Sequence, residues 1–294
     1  MIQARNKLSQ EELSEAKKLI NCCQAYDGTY RDPYLSNMLN FDPNMPAFFL
    51  YYEKGELVGL LTVYADDQDV EVTILVHPNH RRQGIARALF TGFERETVSF
   101  PIRSVTFQTE RVFLDSHLDF VSNWGLVEDE DTETWLGKDR RPYPLAKLSN
   151  LEVLLADSSY QEQISQLKFQ AFSEEHESRE VVDRYVAEAL KDPESRLYIL
   201  LKDDQVIGTC TIDLSSDTNY FYGLAISEPE RGKGYGSYLA KSLVNQLIEQ
   251  NDKEFQIAVE DSNVGAKRLY EKIGFVKQTQ VVYLNEKGAR DSEV

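Results

Sequence analysis

Residues 220–236 read Tyr-Phe-Tyr-Gly-Leu-Ala-Ile-Ser-Glu-Pro-Glu-Arg-Gly-Lys-Gly-Tyr-Gly: a hydrophobic run, a turn that contains proline and a loop rich in glycine. The same parts occur about 150 residues earlier, where residues 70–76 are followed by the turn 77–80 and the loop 81–86. Both loops have the form Arg-x-x-Gly-x-(Gly/Ala) and open an amphipathic segment. This order predicts a strand, a turn, a loop and a helix in each half of the chain.

The loops predict a binding site for phosphate. Glycine allows successive backbone N–H groups to converge on an anion, and the first turn of the next helix adds unpaired donors and the positive end of its dipole. The ligand that fits best is a pyrophosphate. One such loop is as often an ordinary surface turn. Two copies in matching context favour the anion site.

An internal repeat divides the 294-residue chain into halves that are each the size of one domain. Residues 58–63 match 207–212 before the loops, and residues 124–126 match 273–275 after them. Two prolines, Pro142 and Pro144, interrupt the pattern before the next hydrophobic run. We therefore predict an N-terminal domain over residues 1–145 and a C-terminal domain over residues 146–294.

The second half alternates between strands and helices. Hydrophobic spacing predicts helices over residues 160–172, 180–190 and 263–273, and another that begins near Gly236. Strands are predicted over residues 151–156, 197–201, 206–214, 220–226 and 254–259, with residues 281–284 completing the sheet of this half. The helix after the loop has one apolar stripe, so we expect it to pack on the sheet with its first turn at the loop.

Two motifs in the second half occur together in a known family. The first is Arg231-x-x-Gly234-x-Gly236 after a strand, and the second is Asn263-x-x-Ala266-x-x-Leu269-Tyr270-x-x-x-Gly274-Phe275 about 30 residues later. In these motifs the chain resembles the GNAT superfamily of N-acetyltransferases, over nearly all of the second half. The resemblance implies an α+β (mixed α/β) fold of two tandem acyl-CoA N-acyltransferase domains, each a mostly antiparallel central sheet flanked by helices.

The resemblance also implies the cosubstrate and its contacts. In the family the loop binds the pyrophosphate of acetyl-coenzyme A (acetyl-CoA), and the loop-bearing strand pairs with the pantetheine arm. Carried to this sequence, it implies pantetheine contacts at Leu224, Ala225 and Ile226. The pyrophosphate contacts would be Arg231, Gly232, Lys233, Gly234, Tyr235, Gly236 and Ser237.

Acetyl transfer requires a neutral amine to attack a thioester carbonyl, a donor for the developing oxygen charge and a proton for the leaving thiolate. A backbone N–H of the loop-bearing strand is a suitable donor, and the resemblance implies Tyr270 as the proton source. The phenol has a reference pKa near 10, comparable to a thiol. On spacing alone Tyr270 is a core aromatic. Asn263 fits both a helix N-cap and the cofactor contact that the resemblance implies.

The first half keeps the loop and departs from the second motif. Aligning Gly125 with Gly274 puts Val121 where Tyr270 stands, and valine cannot donate a proton. We therefore predict a degenerate first domain. Glu71, on its loop-bearing strand, is either a base or an exposed strand residue. Backbone donors alone would still allow this half to bind coenzyme A, through Val76, Gln83, Gly84, Ile85 and Ala86.

Composition limits the partners. A net charge of −17 disfavours nucleic acid and favours a neutral or cationic amine. The three cysteines, two of them adjacent, indicate reduced thiols, and no apolar run approaches the length of about 18 residues that spans a bilayer, so we expect a cytoplasmic protein without a membrane segment. The histidines are too scattered to predict a metal site.

The sequence thus predicts an enzyme, an acetyl-CoA-dependent N-acetyltransferase that acetylates a primary amine in its C-terminal domain. Two alternatives stay open. One is a non-catalytic coenzyme-A-binding sensor or interaction module, and the other is a tandem acetyltransferase that resembles mycothiol synthase. Variable loops recognise the acceptor, so the fold specifies neither the acceptor nor the oligomeric state.

Overall fold

The computed structural model of the protein describes residues 2–146, 148–172 and 178–287. These residues form two compact units. Unit 1 contains residues 2–133 and 279–287, and unit 2 contains the described part of residues 134–278. In each unit helices pack on a central sheet.

Unit 1 is formed by the N-terminal helices and strands, and residues 279–287 return to it after unit 2. Its elements in chain order are β1 (Ile2–Arg5), α1 (Gln10–Asp27), β2 (Phe48–Glu53), β3 (Glu56–Tyr64), β4 (Asp69–Val76), α2 (Ile85–Thr97), β5 (Ser104–Glu110), α3 (Arg111–Ser116), α4 (Phe120–Trp124) and the first part of β6 (Leu126–Lys138).

Unit 2 starts within β6 and continues to the first residues of β12. Its other elements are β7 (Leu151–Leu155), α5 (Gln161–Phe172), α6 (Arg179–Lys191), β8 (Ser195–Lys202), β9 (Gln205–Asp213), β10 (Thr218–Ile226), α7 (Tyr235–Gln250), β11 (Glu254–Glu260), α8 (Val264–Lys272) and β12 (Val276–Glu286). The helices and strands predicted for the second half over residues 151–273 lie within two residues of these bounds.

The sheets are mostly antiparallel, as predicted. The strand order is β1-β2-β3-β4-β5-β12 in unit 1 and β7-β8-β9-β10-β11-β6 in unit 2. In each sheet one central pair is parallel: β4 with β5, and β10 with β11. The apolar stripes of α2 and α7 fill the cores, with Ile85, Leu89 and Phe93 in unit 1 and Leu239, Leu243 and Leu247 in unit 2.

The position of β12 corrects one prediction. Residues 281–284 were expected to complete the sheet of the second half, and this is wrong, because Val281–Asn285 pair with β5 in unit 1. The hydrophobic alternation that marks a strand does not identify its partner. The compact units therefore differ from the predicted halves 1–145 and 146–294 in the placement of residues 134–145 and 279–287.

One inserted residue distinguishes the two copies of the loop-bearing strand. In unit 1, β4 stays in register with β3 through Val76. In unit 2 the register between β10 and β9 shifts between Tyr222 and Ala225, where Gly223 has a φ of 58°. This β-bulge explains why the repeat offset changes from 149 residues before it, Gly59 to Gly208, to 150 residues after it, Val76 to Ile226.

Gly59 on β3 and Gly208 on β9 occupy equivalent places in the two units, and each is in close contact with side chains of a neighbouring helix or strand. A Cβ on Gly59 would lie 2.7 Å from Ile85 Cγ2 and 3.1 Å from Leu89 Cδ1. A Cβ on Gly208 would lie 2.6 Å from Ile226 Cδ1. Both contacts are shorter than packed carbon atoms tolerate, so a hydrogen at these positions lets the helix or the strand approach.

We predict that Gly59→Ala lowers the free energy of unfolding by about 1–3 kcal/mol, because the added methyl group overpacks the contact with α2. Gly92→Ala is the matched control, since a Cβ there would have its nearest neighbour at 3.5 Å, and alanine is the better helix former by about 1 kcal/mol. Urea denaturation followed by tryptophan fluorescence measures both. Equal stability of the two variants would contradict the packing argument.

Candidate active site

The parallel strands at the centre of unit 2 separate early. Thr218–Phe221 of β10 pair with Glu254–Ile257 of β11, and the ladder ends there. On its other side β10 stays paired with β9 up to Ile226. The residues of β10 beyond the bulge thus have one backbone edge facing a gap between strands, and this is the segment predicted to contact pantetheine, residues 224–226. Such an edge has hydrogen-bonding groups to offer an extended ligand.

The glycine loop of unit 2 leaves the start of α7 open. Gly232 and Gly234 have φ angles of 75° and 86°, and a Cβ on either would meet open space. Gly234 is the N-cap of α7, and no side chain caps the helix there. The first N–H groups of α7 are therefore available to an anion.

The side chains of the loop hold it in place. Arg231 donates from Nε to the carbonyl oxygen of Ile226 at 3.0 Å, which ties the loop to the end of β10. Glu230 pairs with both Lys202 and Lys233, at 3.0 and 3.1 Å. Lys202 Nζ also lies 5.3 Å from the centre of the Tyr235 ring.

Gly236 and Ser237 follow in the first turn of α7. Gly236 is buried, and a Cβ on it would lie 3.0 Å from Leu269 Cδ1, so its lack of a side chain lets α7 approach α8 closely. Ser237 is partly exposed.

Helix α8 begins with a side-chain cap and ends in the core. Asn263 Oδ1 accepts a hydrogen bond from Ala266 N at 3.0 Å, which confirms the N-cap reading of this residue. Tyr270 is 6% exposed and packs beside Phe275, with ring centres 6.1 Å apart. Burial raises the pKa of Tyr270 above its ordinary value, and the Cys210 thiol on β9 adds to the rise. The phenol is therefore protonated at neutral pH, and its predicted donor role stays a prediction.

The loop of unit 1 has the same backbone conformation with different residues. Gly84 is the N-cap of α2, has a φ of 82° and lies at the position of Gly234. Arg82, at the position of Gly232, has a φ of 61°. Arg81 donates from Nε to the carbonyl oxygen of Val76 at 3.0 Å, as Arg231 does to Ile226. It also makes two hydrogen bonds, of 2.7 and 2.6 Å, to the buried carboxylate of Asp27.

A cavity of about 500 Å³ opens at this loop in unit 1. It runs from the end of α1 past the last residues of β4 and β5 to α4, and Trp124 lies at that end. Of the five residues predicted to bind coenzyme A in this half, four line the cavity: Val76, Gly84, Ile85 and Ala86. The fifth, Gln83, is exposed and is not among the lining residues.

The cavity wall includes polar residues that the sequence did not single out. Glu110, at the end of β5, is 5% exposed, and its carboxylate accepts from the backbone N–H groups of Tyr30 and Arg31 at 2.9–3.0 Å. His117 also lines the cavity, with Nδ1 2.9 Å from the carbonyl oxygen of Phe113. The sequence offers one signal for Glu110. It ends β5, the strand of unit 1 that corresponds to β11 of unit 2.

Glu71 lies next to this wall and is not an exposed strand residue. Gln108 Nε2, which lines the cavity, donates to Glu71 Oε2. Burial raises the pKa of Glu71 to about 7, although the Arg31 guanidinium acts in the opposite direction. Val121, at the position that corresponds to Tyr270, is packed among apolar side chains of unit 1. Its hydrocarbon side chain has no proton to donate.

The turn histidines have local partners. His77 Nδ1 accepts from Asn79 N at 3.3 Å, and His80 pairs with Glu53 at 2.9 Å. Across residues 2–146, 148–172 and 178–287, no group of three or more His, Cys, Asp or Glu side chains is arranged to hold a metal ion. Within the same ranges, no helix combines the length and apolarity needed to cross a membrane.

Comparison with known proteins identifies the family. A model described as the acetyltransferase (GNAT) family matches residues 13–112 and again residues 161–275. The chain belongs to the GNAT acetyltransferase family. As a tandem GNAT protein it is an acetyltransferase with acetyl-CoA as its cosubstrate, as predicted.

The chain is similar to a curated acetyltransferase and to two solved structures of GNAT proteins. A mycothiol acetyltransferase of Clavibacter sepedonicus is 25% identical over 230 residues, which cover 74% of this chain and 73% of that protein. A GCN5-related N-acetyltransferase from Sphaerobacter thermophilus has a TM-score of 0.73 at 18% identity, covering 97% of this chain and 95% of that one. A tandem GNAT protein from the clavulanic acid biosynthesis pathway has a TM-score of 0.68 at 16% identity, covering 97% and 98%. The two structures show that the fold is shared.

The raised pKa of Glu71 predicts a pH-dependent stability. Between about pH 4.5 and 7 the folded chain retains a proton that the unfolded chain has released, so the free energy of unfolding falls as the pH rises through this window. We predict that Glu71→Gln, which keeps an acceptor for Gln108, removes this fall. Allowing for partial solvent access, the variant should gain about 1–2 kcal/mol over the wild type at pH 8 and little at pH 4.5.

Urea unfolding at the two pH values measures this gain. Glu94→Gln, which changes an exposed carboxylate on α2, is the matched control and should show no pH-dependent gain. A gain of Glu71→Gln that is equal at pH 4.5 and 8 would rule out titration of Glu71 as its source.

Proposed function

We propose that this tandem GNAT protein transfers the acetyl group of acetyl-CoA to a primary amine, and that the reaction takes place in the C-terminal domain, within unit 2. One observation carries the assignment. In unit 2 the chain contains a bulged, partly unpaired strand (β10), an uncapped helix start (α7) and, further along, the buried phenol of Tyr270. In unit 1 the position that corresponds to Tyr270 is occupied by the apolar Val121.

In this proposal the chain holds its cosubstrate mainly through backbone groups. The edge of β10 at Leu224, Ala225 and Ile226 would pair with the pantetheine arm, and the loop from Arg231 through Ser237 would hold the pyrophosphate at the start of α7. Asn263 would contact the cofactor with the groups that its capping bond to Ala266 N leaves available. A backbone N–H of β10 next to the bulge would stabilise the charge that develops on the carbonyl oxygen.

Tyr270 would supply the proton for the leaving thiolate. Its raised pKa keeps the phenol protonated at neutral pH, so a donor is always present. The same shift makes it a weaker acid than the thiol, so the proton would move late, when the carbon–sulfur bond is largely broken and the negative charge has reached sulfur.

For the acceptor we propose a class of compounds, the primary amines. The acidic chain, with a net charge of −17, attracts cationic amines over long range. The similarity to a mycothiol acetyltransferase over 74% of the chain favours including the amine precursor of mycothiol as a second candidate beside simple diamines and amino acids.

Unit 1 would bind acetyl-CoA without transferring its acetyl group. Support comes from the cavity of about 500 Å³ at its loop, lined by Val76, Gly84, Ile85 and Ala86. Both loops offer uncapped N–H groups at a helix start, so anion binding does not require the missing phenol.

We predict that Tyr270→Phe lowers kcat by about 10²–10³-fold and leaves the Kd for acetyl-CoA within about twofold, because only the proton donor is lost. Release of free coenzyme A with a panel of amines, corrected for hydrolysis, measures turnover, and calorimetry measures binding. Tyr198→Phe is the matched control, since Tyr198 is a buried tyrosine of the same core and is not part of the proposed site.

Two outcomes would change this assignment. Full turnover by Tyr270→Phe, together with loss of turnover by Glu71→Gln, would move the chemistry to unit 1. Absence of turnover with every amine, while both loops bind acetyl-CoA, would favour a sensor.

We predict that calorimetry gives two acetyl-CoA molecules per chain. Ala86→Asp puts a negative charge at the first loop, and Ser237→Asp puts one at the second, so each should weaken its own site by about tenfold or more through repulsion of the phosphates. Each variant should then retain one strong site, and only Ser237→Asp should lose turnover. A stoichiometry that Ala86→Asp leaves unchanged would show that unit 1 does not bind the cosubstrate.

A further inference from the structure

A lysine of unit 2 lies at the bulge of the loop-bearing strand. Lys168, on α5, donates from Nζ to Thr211 Oγ1 at 3.1 Å and lies 5.6 Å from the centre of the Tyr222 ring. The same Nζ is 2.8 Å from the point where a Cβ on Gly223 would stand. The ammonium therefore occupies space that the bulge glycine leaves vacant, beside the backbone proposed to stabilise the carbonyl oxygen of the thioester.

The surroundings of Lys168 differ from those of three other lysines in this unit. Lys138, Lys202 and Lys267 each have a carboxylate oxygen within 3.1 Å. For Lys168 the described part of the chain provides a hydroxyl group, an aromatic ring and the Cys210 thiol, and no carboxylate at ion-pair distance. An ammonium in such a place lacks the neighbouring negative charge that would favour its protonated form.

Burial accordingly lowers the pKa of Lys168 to about 8, although the nearby Cys210 acts in the opposite direction. At pH 7 about a tenth of such amines are neutral, compared with fewer than about one in a thousand for a lysine with the ordinary pKa near 10.4. A neutral amine is the form that attacks a thioester.

We propose that Lys168 is a site of self-acetylation, at which its amine takes the acetyl group from acetyl-CoA bound in unit 2. The inference rests on the proposed function, because it uses the same donor and the same strand. The lone pair of Nζ forms a bond to the carbonyl carbon, and the bond from that carbon to sulfur breaks. Nitrogen gives up one proton to solvent, the sulfur receives one from Tyr270, and solvent returns a proton to the Tyr270 phenolate, so the products are N-acetyl-lysine and coenzyme A.

Unit 1 has a different cation near the equivalent strand position. Thr73 corresponds to Tyr222 by its register with β3, and it accepts a hydrogen bond from Arg31 Nη1 at 3.3 Å. A guanidinium stays charged at all accessible pH values and is not acetylated under these conditions. Self-acetylation is thus a property of unit 2.

Acetylation would close the acceptor side of unit 2. The amide is neutral and longer than the ammonium, so it must occupy the recess at Gly223 or displace Tyr222. An acceptor amine approaching the same carbonyl carbon would meet the acetyl group there. We therefore expect the acetylated chain to turn over external amines more slowly.

The test is incubation of the full chain with isotopically labelled acetyl-CoA and no external amine, followed by intact mass measurement and peptide mapping. Lys168 should acquire label about 10²-fold faster than Lys253, because a held amine reacts as in an intramolecular step. Lys253 is the internal reference, since its Nζ donates to the carbonyl oxygens of Leu214 and Ser216 at 2.6 and 2.7 Å.

Variants separate the enzymatic step from chemical labelling. Lys168→Arg keeps a cation and a donor for Thr211 and should remove the fast label, whereas Lys253→Arg should not. Ser237→Asp, which should weaken the binding of acetyl-CoA at the loop of unit 2, should reduce labelling at Lys168 to the rate at Lys253.

The outcomes distinguish this inference from the proposed function. If external amines are acetylated and Lys168 stays unlabelled, self-acetylation is refuted and the proposed function stands. If Lys168 is labelled and no amine of the panel is acetylated, self-acetylation stands and the proposed acceptor class falls. If calorimetry detects no binding of acetyl-CoA and no label appears, both are overturned.

Discussion

A parallel pair of strands that separates after four residues is the constraint on which both candidate sites depend. In unit 1 the pairing of β4 with β5 ends at Val72, and in unit 2 the pairing of β10 with β11 ends at Phe221. Backbone groups past the separation need hydrogen-bond partners that the ladder no longer supplies. Each strand then enters a loop that exposes the start of a helix. Strand edge, loop and helix start thus form one continuous surface for an extended, negatively charged ligand.

The two units have diverged at this common surface by small steps. One added residue, Gly223, bends β10 where β4 remains regular, and it makes room for the ammonium of Lys168. In helix α8 of unit 2, Tyr270 stands where unit 1 has Val121. Unit 1 instead has the ion pair of Arg81 with Asp27 at its loop. Breaking such a buried pair is costly, because the remaining charge lies away from water. This pair therefore favours a fixed loop in unit 1.

Local features of the fold were predictable because they have local causes. The periodicity of residues 263–273 marks α8, and Gly274, with a φ of 90°, ends it. The loop conformation followed from Gly84 and Gly234. Contacts between distant residues had no such signal: Asp27 and Arg81 are 54 positions apart, and Tyr30 and Glu110 are 80 apart. The partner of β12 and the setting of Lys168 were missed for the same reason, since a period in the sequence identifies a face but not what covers it.

The pairing of β12 with β5 has a consequence for the synthesis of the chain. Val281 pairs with Glu110, so the strand that covers β5 leaves the ribosome only after all of residues 134–278 have been made. Until then β5 is an open edge with unpaired backbone groups, which is the kind of surface that recruits foreign strands. The first unit to emerge is therefore the last to close its sheet, and a nascent chain stalled before residue 281 would expose an adhesive edge.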